Sequence, residues 1–215
     1  MIDRILRRAE ISRLAIMDTD FWNARYAGEA FVYGTAPNEF VVMAAARIPP
    51  GPVLCLAEGE GRNAVWLAAR GHAVTAVDQS AVALAKAQKL AAERGVRIST
   101  VVADLTAHRL EPGAWAAIVA TWLHLPPAPR RALHAQVVRA LRPGGCFLLE
   151  AYTPAQLAFD TGGPRDLQLL PTAAQLREEL AGLELEILRE LERDVTEGSA
   201  HTGRAAVVQV LARRP

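Results

Sequence analysis

Val53-Leu54-Cys55-Leu56-Ala57-Glu58-Gly59-Glu60-Gly61-Arg62-Asn63-Ala64, followed by Val74-Thr75-Ala76-Val77-Asp78, decides how this chain folds. An apolar run ends in a glycine-rich turn, a helix follows, and a second apolar run ends in an acid. This is the opening strand-helix-strand unit of a nucleotide-binding fold.

Outward from that unit, strands and helices alternate. Strands are expected at Val53–Leu56, Ala73–Val77, Ile98–Val102, Ala116–Ala120 and Cys146–Ala151. Helices are expected at Asn63–Ala69, at Ala81–Arg94 with Ser80 as N-cap, at Pro129–Leu141 and at Thr172–Ala181. Leu183–Glu192 and Ala205–Ala212 are two more strand candidates. The uninterrupted apolar character of the first, fourth and fifth strands fits a parallel sheet buried on both faces. Alternation with helices implies right-handed crossovers and a doubly wound sheet. Upstream, Phe21, Trp22, Tyr26, Phe31, Tyr33 and Phe40 form an aromatic stretch interrupted by Gly28, Gly34 and Pro37, so it is not one regular helix; a short helix is expected over Phe40–Ala46.

Size and composition bound the rest. A chain of 215 residues can form one domain with a substantial core. The expected organisation is a possible extension over residues 1–16, an aromatic cap over 17–50 and a core with a C-terminal hairpin over 51–215. Hydrophobic residues make up 51%, charged residues 22%, and the formal net charge is +1. That balance gives no reason to expect nucleic acid or an anionic membrane as partner, and no run is long and apolar enough to span a bilayer. The two cysteines, Cys55 and Cys146, have no metal or redox spacing and read as buried thiols of a cytoplasmic protein. Met1–Ala15 alternates arginines with apolar residues at helical spacing and lacks the features of a secretory signal. It is either a surface helix, or an extension upstream of a natural start at Met17. A monomer or a homodimer is expected.

Ligands of such a sheet bind beyond the carboxyl ends of the strands. That rule selects Glu58–Asn63, then Asp78, Gln79 and Ser80, then Asp104 and Leu105, then Thr121–His124, Tyr152 and Thr153. If Leu183–Glu192 runs parallel, the turn carrying Glu197, Ser199 and His201 reaches the same edge. Gly59, Gly61 and Ala64 satisfy the dinucleotide fingerprint, which supports a nicotinamide cofactor. The charge argues for S-adenosylmethionine (SAM) instead. A pyrophosphate at this turn lies near Glu58 and Glu60, offset only in part by Arg62. SAM carries cationic groups that suit the acids and a carboxylate that suits the backbone N–H groups of the turn and of Arg62 and Asn63. Asp78 can accept from a ribose diol and Asp104 from an adenine amino group. The plainer account of each acid is a helix cap or a solvated loop residue.

The turn, Asp78, Ala103-Asp104 and Leu141-Arg142-Pro143-Gly144-Gly145 together resemble the motif series of class I SAM-dependent methyltransferases. Phe21-Trp22-Asn23-Ala24-Arg25-Tyr26, Val32-Tyr33-Gly34, Pro37-Asn38-Glu39-Phe40 and Gly61-Arg62-Asn63 are similar to the tellurite-resistance and thiopurine methyltransferase-like group. The resemblance covers about Met17 to the C-terminus. It implies a Rossmann-like, mostly parallel seven-stranded sheet with an antiparallel last strand. It also implies SAM as cofactor, S-adenosylhomocysteine as product, and a small thiol or chalcogen among the small-molecule acceptors. The chain departs from the group's opening turn: Cys55 stands where an acid is usual, and Ala57-Glu58-Gly59 replaces Gly-Cys-Gly. Glu58 is then the residue that could supply the missing charge.

The acceptor side is expected under the aromatic segment. Trp22, Tyr26 and Tyr33 either stack on the cofactor or simply pack the cap. His124 and His201, with Tyr33, are the candidates for a base or an orienting group, against the plainer account of loop histidines. His72, His108 and His134 read as surface residues. No Asn-Pro-Pro-aromatic motif follows the fourth strand, which argues against amide or nucleobase nitrogen acceptors. Taken together, these residues and the resemblance point to a SAM-dependent methyltransferase acting on a small molecule. An NAD(P)-linked oxidoreductase and a non-catalytic SAM-binding module are the alternatives.

Overall fold

The computed structural model describes residues 18–215. The readings placed on Met1–Ala15 and on Met17 lie outside the described residues. Helix α1, Thr19–Tyr26, is started by Asp18, whose side chain accepts from the Phe21 N–H. Helix α2, Glu39–Ala44, is capped by Asn38 and tightens into a single 3₁₀ turn at Ala45–Arg47, ahead of Pro49-Pro50. Then come β1 (Pro52–Leu56), α3 (Arg62–Ala68), β2 (Ala73–Asp78), α4 (Ala81–Glu93), β3 (Ser99–Val102), β4 (Trp115–Thr121), α5 (Pro127–Ala140), β5 (Leu141–Tyr152), α6 (Ala173–Glu179), β6 (Glu184–Glu197) and β7 (His201–Arg213).

The seven strands lie in the order β3-β2-β1-β4-β5-β7-β6. β1 to β5 pair in parallel, and β7 is antiparallel to both of its neighbours. β6 therefore runs with the parallel strands, and the tip of the β6–β7 hairpin reaches the edge where the parallel strands end.

The period-2 alternation of a strand divides the core between two faces. Val53 and Cys55 of β1, with Ala117 and Val119 of β4, face α2, α3 and α4. Leu54, Leu56, Ile118 and Ala120 face α5 and α6. Both cysteines are buried and unpaired. Gly61 opens α3 at φ +89°, and a Cβ there would lie 2.5 Å from the Ala87 methyl of α4. Only glycine lets the turn come this close to α4.

Three features differ from expectation. β6 continues to Glu197, past the Glu192 end expected from its periodicity. Its polar end is held by continuous pairing with β7, from Glu184↔Arg213 to Glu197↔His201. Arg142-Pro143-Gly144-Gly145 is not a turn outside the sheet but a bulge in β5, set against Ala116 alone between the Trp115↔Leu141 and Ala117↔Cys146 pairs. His134 is buried, not on the surface: its Nδ1 lies 2.7 Å from Glu179, which also holds Arg130 and so ties α5 to α6.

Candidate functional site

A cavity of about 440 Å³ opens at the carboxyl ends of β1, β2, β3 and β4 and runs on to the β6–β7 hairpin. At its β2 end, Asp78 is 7% exposed. One carboxylate oxygen accepts from the Gly59 N–H at 2.8 Å and the other from the Ser80 N–H at 2.8 Å. The Gln79 N–H bonds to it as well, and the carboxylate still lines the cavity, where it can accept from a diol. Burial raises its pKa, opposed by those N–H bonds. Gln79 joins the wall beside it. Ser80 does not: its hydroxyl caps α4 by accepting from the Ala83 N–H and donates to Asn23.

The turn after β1 is less acidic than its sequence. Glu60 pairs with Lys86 at 2.5 Å and accepts from the Tyr33 N–H. Glu58 Oε1 accepts from the N–H groups of Asn63 and Ala64, at 2.9 and 2.7 Å, and so caps α3 from within its own turn. Burial pushes its pKa up to about 7, against the pull of those two N–H groups and of Arg62. The helix N-terminus that sequence reasoning offered to a ligand carboxylate is thus occupied by a side chain of the protein. Arg62 turns back to Glu197 at 2.5 Å. Asn63 lies beneath the wall, its amide donating to Thr121 and accepting from the Asn38 N–H. Gly61 is taken up by α4. Gly59 and Thr121 line the cavity, and so do Glu58, Glu60 and Arg62 beside their protein partners.

At the β3 end, Leu105 and Asp104 line the rim. Asp104 spends both oxygens on Thr106, at 2.8 Å each, as an Asx turn. Across the opening, Trp22 stacks on Tyr26 with centroids 5.7 Å apart. The Tyr26 hydroxyl stands over Gly59, where a Cβ would lie 2.9 Å away. Burial first, then Tyr33, Asp78 and Glu60, raise the Tyr26 pKa.

The far end is aromatic. Tyr33 lies 4.6 Å from the His201 ring, and Trp122 lies 5.0 Å from it. His124 lines the same end and stacks on the buried Tyr152 at 5.7 Å and 12°. Desolvation lowers the pKa of His124 to about 4 and that of His201 to about 3, with nearby Arg130 and Arg62, respectively, acting in the same direction. Both rings are neutral at pH 7. His124 Nε2, His201 Nδ1 and the Tyr152 hydroxyl are buried without a hydrogen-bond partner among the described residues.

Sequence reasoning missed Arg25 here, and it placed Trp122 and Tyr152 at this edge without assigning them a use. Arg25 lines the cavity, donates to the Tyr33 hydroxyl at 3.0 Å and has no carboxylate partner among the described residues; its place one turn after Phe21-Trp22 was the available signal. Trp122 is held at φ +59°, a costly conformation for a bulky side chain, with its indole N–H on Glu197 at 2.5 Å. Tyr152 backs both histidines, and Gly162 and Gly163 are packed against its ring.

Residues 53–145 match the family model described as a methyltransferase domain. A 2-heptyl-1-hydroxyquinolin-4(1H)-one methyltransferase of Mycobacteroides abscessus is 32% identical over 117 residues, which are 53% of this chain and 52% of that protein. The match thus spans about half the length of this curated relative. Among solved structures, one described as "Conversion of a Disulfide Bond into a Thioacetal Group during Echinomycin Biosynthesis" superposes with a TM-score of 0.74 at 23% identity, over 91% of each chain. TehB from Haemophilus influenzae gives 0.69 at 23%, over 92% of this chain and 67% of that one. The glycopeptide N-methyltransferase MtfA, solved with SAM bound, gives 0.58 at 26%, over 84% and 95%.

Proposed function

We propose that this chain, which carries a class I SAM-dependent methyltransferase domain, methylates a small, uncharged organic molecule. The observation that carries the reading is the cavity. It joins a carboxylate at the end of β2, placed to accept from a diol, to an aromatic chamber whose two histidines are neutral. The curated relative is a methyltransferase of a small heteroaromatic compound, which agrees with such a chamber.

SAM supplies a methyl group on a cationic sulfur, and the protein's task is to position the acceptor and exclude water. Asp78 holds the ribose hydroxyls. Trp22 and Tyr33 present aromatic faces, which favour a cation without neutralising it. Arg25 takes the carboxylate in place of the α3 N-terminus that Glu58 occupies. The same occupancy disfavours the nicotinamide alternative, because a pyrophosphate finds neither free helix N–H groups nor an unpaired arginine at the turn. The turn itself repels a pyrophosphate less than its two glutamates suggest, since Lys86 pairs with Glu60. Arg25→Met is expected to weaken SAM binding by about 10- to 100-fold through loss of one charge-assisted contact. An unchanged dissociation constant would remove Arg25 from the site.

Titration calorimetry with SAM, S-adenosylhomocysteine and NADH in parallel tests the reading as a whole. Binding of both adenosyl ligands without an NADH signal is expected, followed by methyl transfer in an acceptor screen that includes thiols, selenite and tellurite beside hydroxyl compounds. NADH binding alone sinks the reading; SAM binding without transfer to any acceptor returns the non-catalytic alternative.

A further inference from the structure

Building on the methyl-transfer reading, we propose that His124 Nε2 is the group that receives the acceptor's proton, and that the acceptor is an aromatic or heteroaromatic hydroxyl compound. The tautomer follows from geometry. His124 Nδ1 lies 3.2 Å from the Leu169 carbonyl, which can only accept, so Nδ1 carries the hydrogen and Nε2 carries the lone pair. Nε2 is buried and unpartnered among the described residues, in a ring that lines the cavity. A buried acceptor without a donor is costly, and a ligand O–H would satisfy it.

The surroundings narrow the class. His124 contacts the Leu169 carbonyl and Tyr152 on β5, and it feels the charge of Arg130 on α5 and is coupled to His201 on β7. Among the described residues no carboxylate bonds to either imidazole. Glu197, behind Trp122, already accepts from Arg62, Arg193, Trp122 and Asn38. A cationic amine therefore finds no counter-charge on this side. A thiol or chalcogen anion gains nothing from a neutral imidazole lone pair. An O–H group does, and the Tyr33, Trp122 and His201 rings that line the chamber offer aromatic contact to a flat ring. Low basicity suits His124 to an acidic hydroxyl on an aromatic ring better than to an aliphatic alcohol. In the step, the acceptor oxygen forms a bond to the methyl carbon as the carbon–sulfur bond breaks. The hydroxyl proton moves to His124 Nε2, and the sulfur leaves as a neutral thioether.

The test compares 1-naphthol with 4-nitrophenol, which is largely ionised at pH 8, and with thiophenol. His124→Asn keeps a donor for Leu169 and removes the lone pair; His124→Gln returns a polar group without basicity. Both variants are expected to bind SAM within about twofold of wild type by calorimetry. Both should lose about 100-fold or more in kcat on 1-naphthol, but less than tenfold on 4-nitrophenol, which has no proton to give. With SAM saturating at every pH, wild-type kcat/KM on 1-naphthol should stay level from pH 8 to about 5, because His124 titrates at about 4. Equal losses on the two phenols would reduce His124 to a structural residue. A wild type that binds SAM but prefers thiophenol, or methylates neither phenol, would overturn the acceptor class. Failure to bind SAM at all would fall on the methyltransferase reading instead.

Discussion

Asp78→Asn is expected to raise the dissociation constant for SAM by about 100-fold while leaving the unfolding midpoint almost unchanged. The carboxylate lies at the end of β2, is held by backbone N–H groups of Gly59, Gln79 and Ser80, and lines the cavity. Two charge-assisted hydrogen bonds to a diol contribute about 1.5–3 kcal/mol each. Asparagine keeps the shape, supplies one neutral acceptor and turns a donor toward the second hydroxyl. Stability changes little because two effects oppose. The amide leaves one backbone N–H of the turn less well paired, but it removes a buried charge whose desolvation already raises the Asp78 pKa. The raised pKa also sets the sign with pH: only the ionised form accepts twice, so SAM affinity falls on acidification sooner than an ordinary aspartate would allow. Calorimetry at pH 8 and pH 5 on both proteins checks this. An affinity within threefold of wild type would place the ribose elsewhere.

The sheet was legible because its parallel strands are short runs rich in apolar residues, closed in β1, β2 and β3 by an acid: Glu58, Asp78 and Asp104. In a doubly wound sheet that pattern fixes which residues reach the carboxyl edge. Asp78, Gly59, Leu105, Thr121, His124 and His201 were reachable by that rule, and all line one cavity. The use each side chain makes of its position was not legible, because it depends on partners distant in the chain. Glu60 reads as a free acid until Lys86, on the next helix, is seen against it. Glu58 reads as a ligand group, yet its own turn folds it onto the N–H groups of Asn63 and Ala64. His124 reads as a loop histidine, and its tautomer is set by Leu169, 45 residues on. Local pattern locates a residue; its charge state and free lone pairs come from tertiary contacts.

Glu197 is where those contacts converge, and Glu197→Ala should be the most destabilising single change at the site. The residue ends β6 and is 5% exposed. Its carboxylate accepts from Asn38 at 2.9 Å, from Arg62 and Trp122 at 2.5 Å each, and from Arg193 at 3.3 Å. Those donors come from the N-cap of α2, the start of α3, the residue after β4, and β6 itself. With Glu150, which accepts from Arg193 at 2.6 Å, two buried carboxylates face two arginines. Removing one leaves Arg62 buried beside no carboxylate in bonding distance, and the Trp122 indole N–H without its acceptor, at a residue already strained at φ +59°. Breaking a buried pair from one side costs about 3–5 kcal/mol. A chain of this size loses about 2–4 °C per kcal/mol, so the midpoint should fall by about 6–20 °C. Glu197→Leu combined with Arg62→Met removes both charges and should recover part of that loss, since an apolar pair of similar volume avoids the desolvation term. Urea unfolding of the single and double variants decides the matter. A loss below about 1 kcal/mol for Glu197→Ala is what a solvated surface pair gives, and it would mean that the four elements are held together by apolar packing alone.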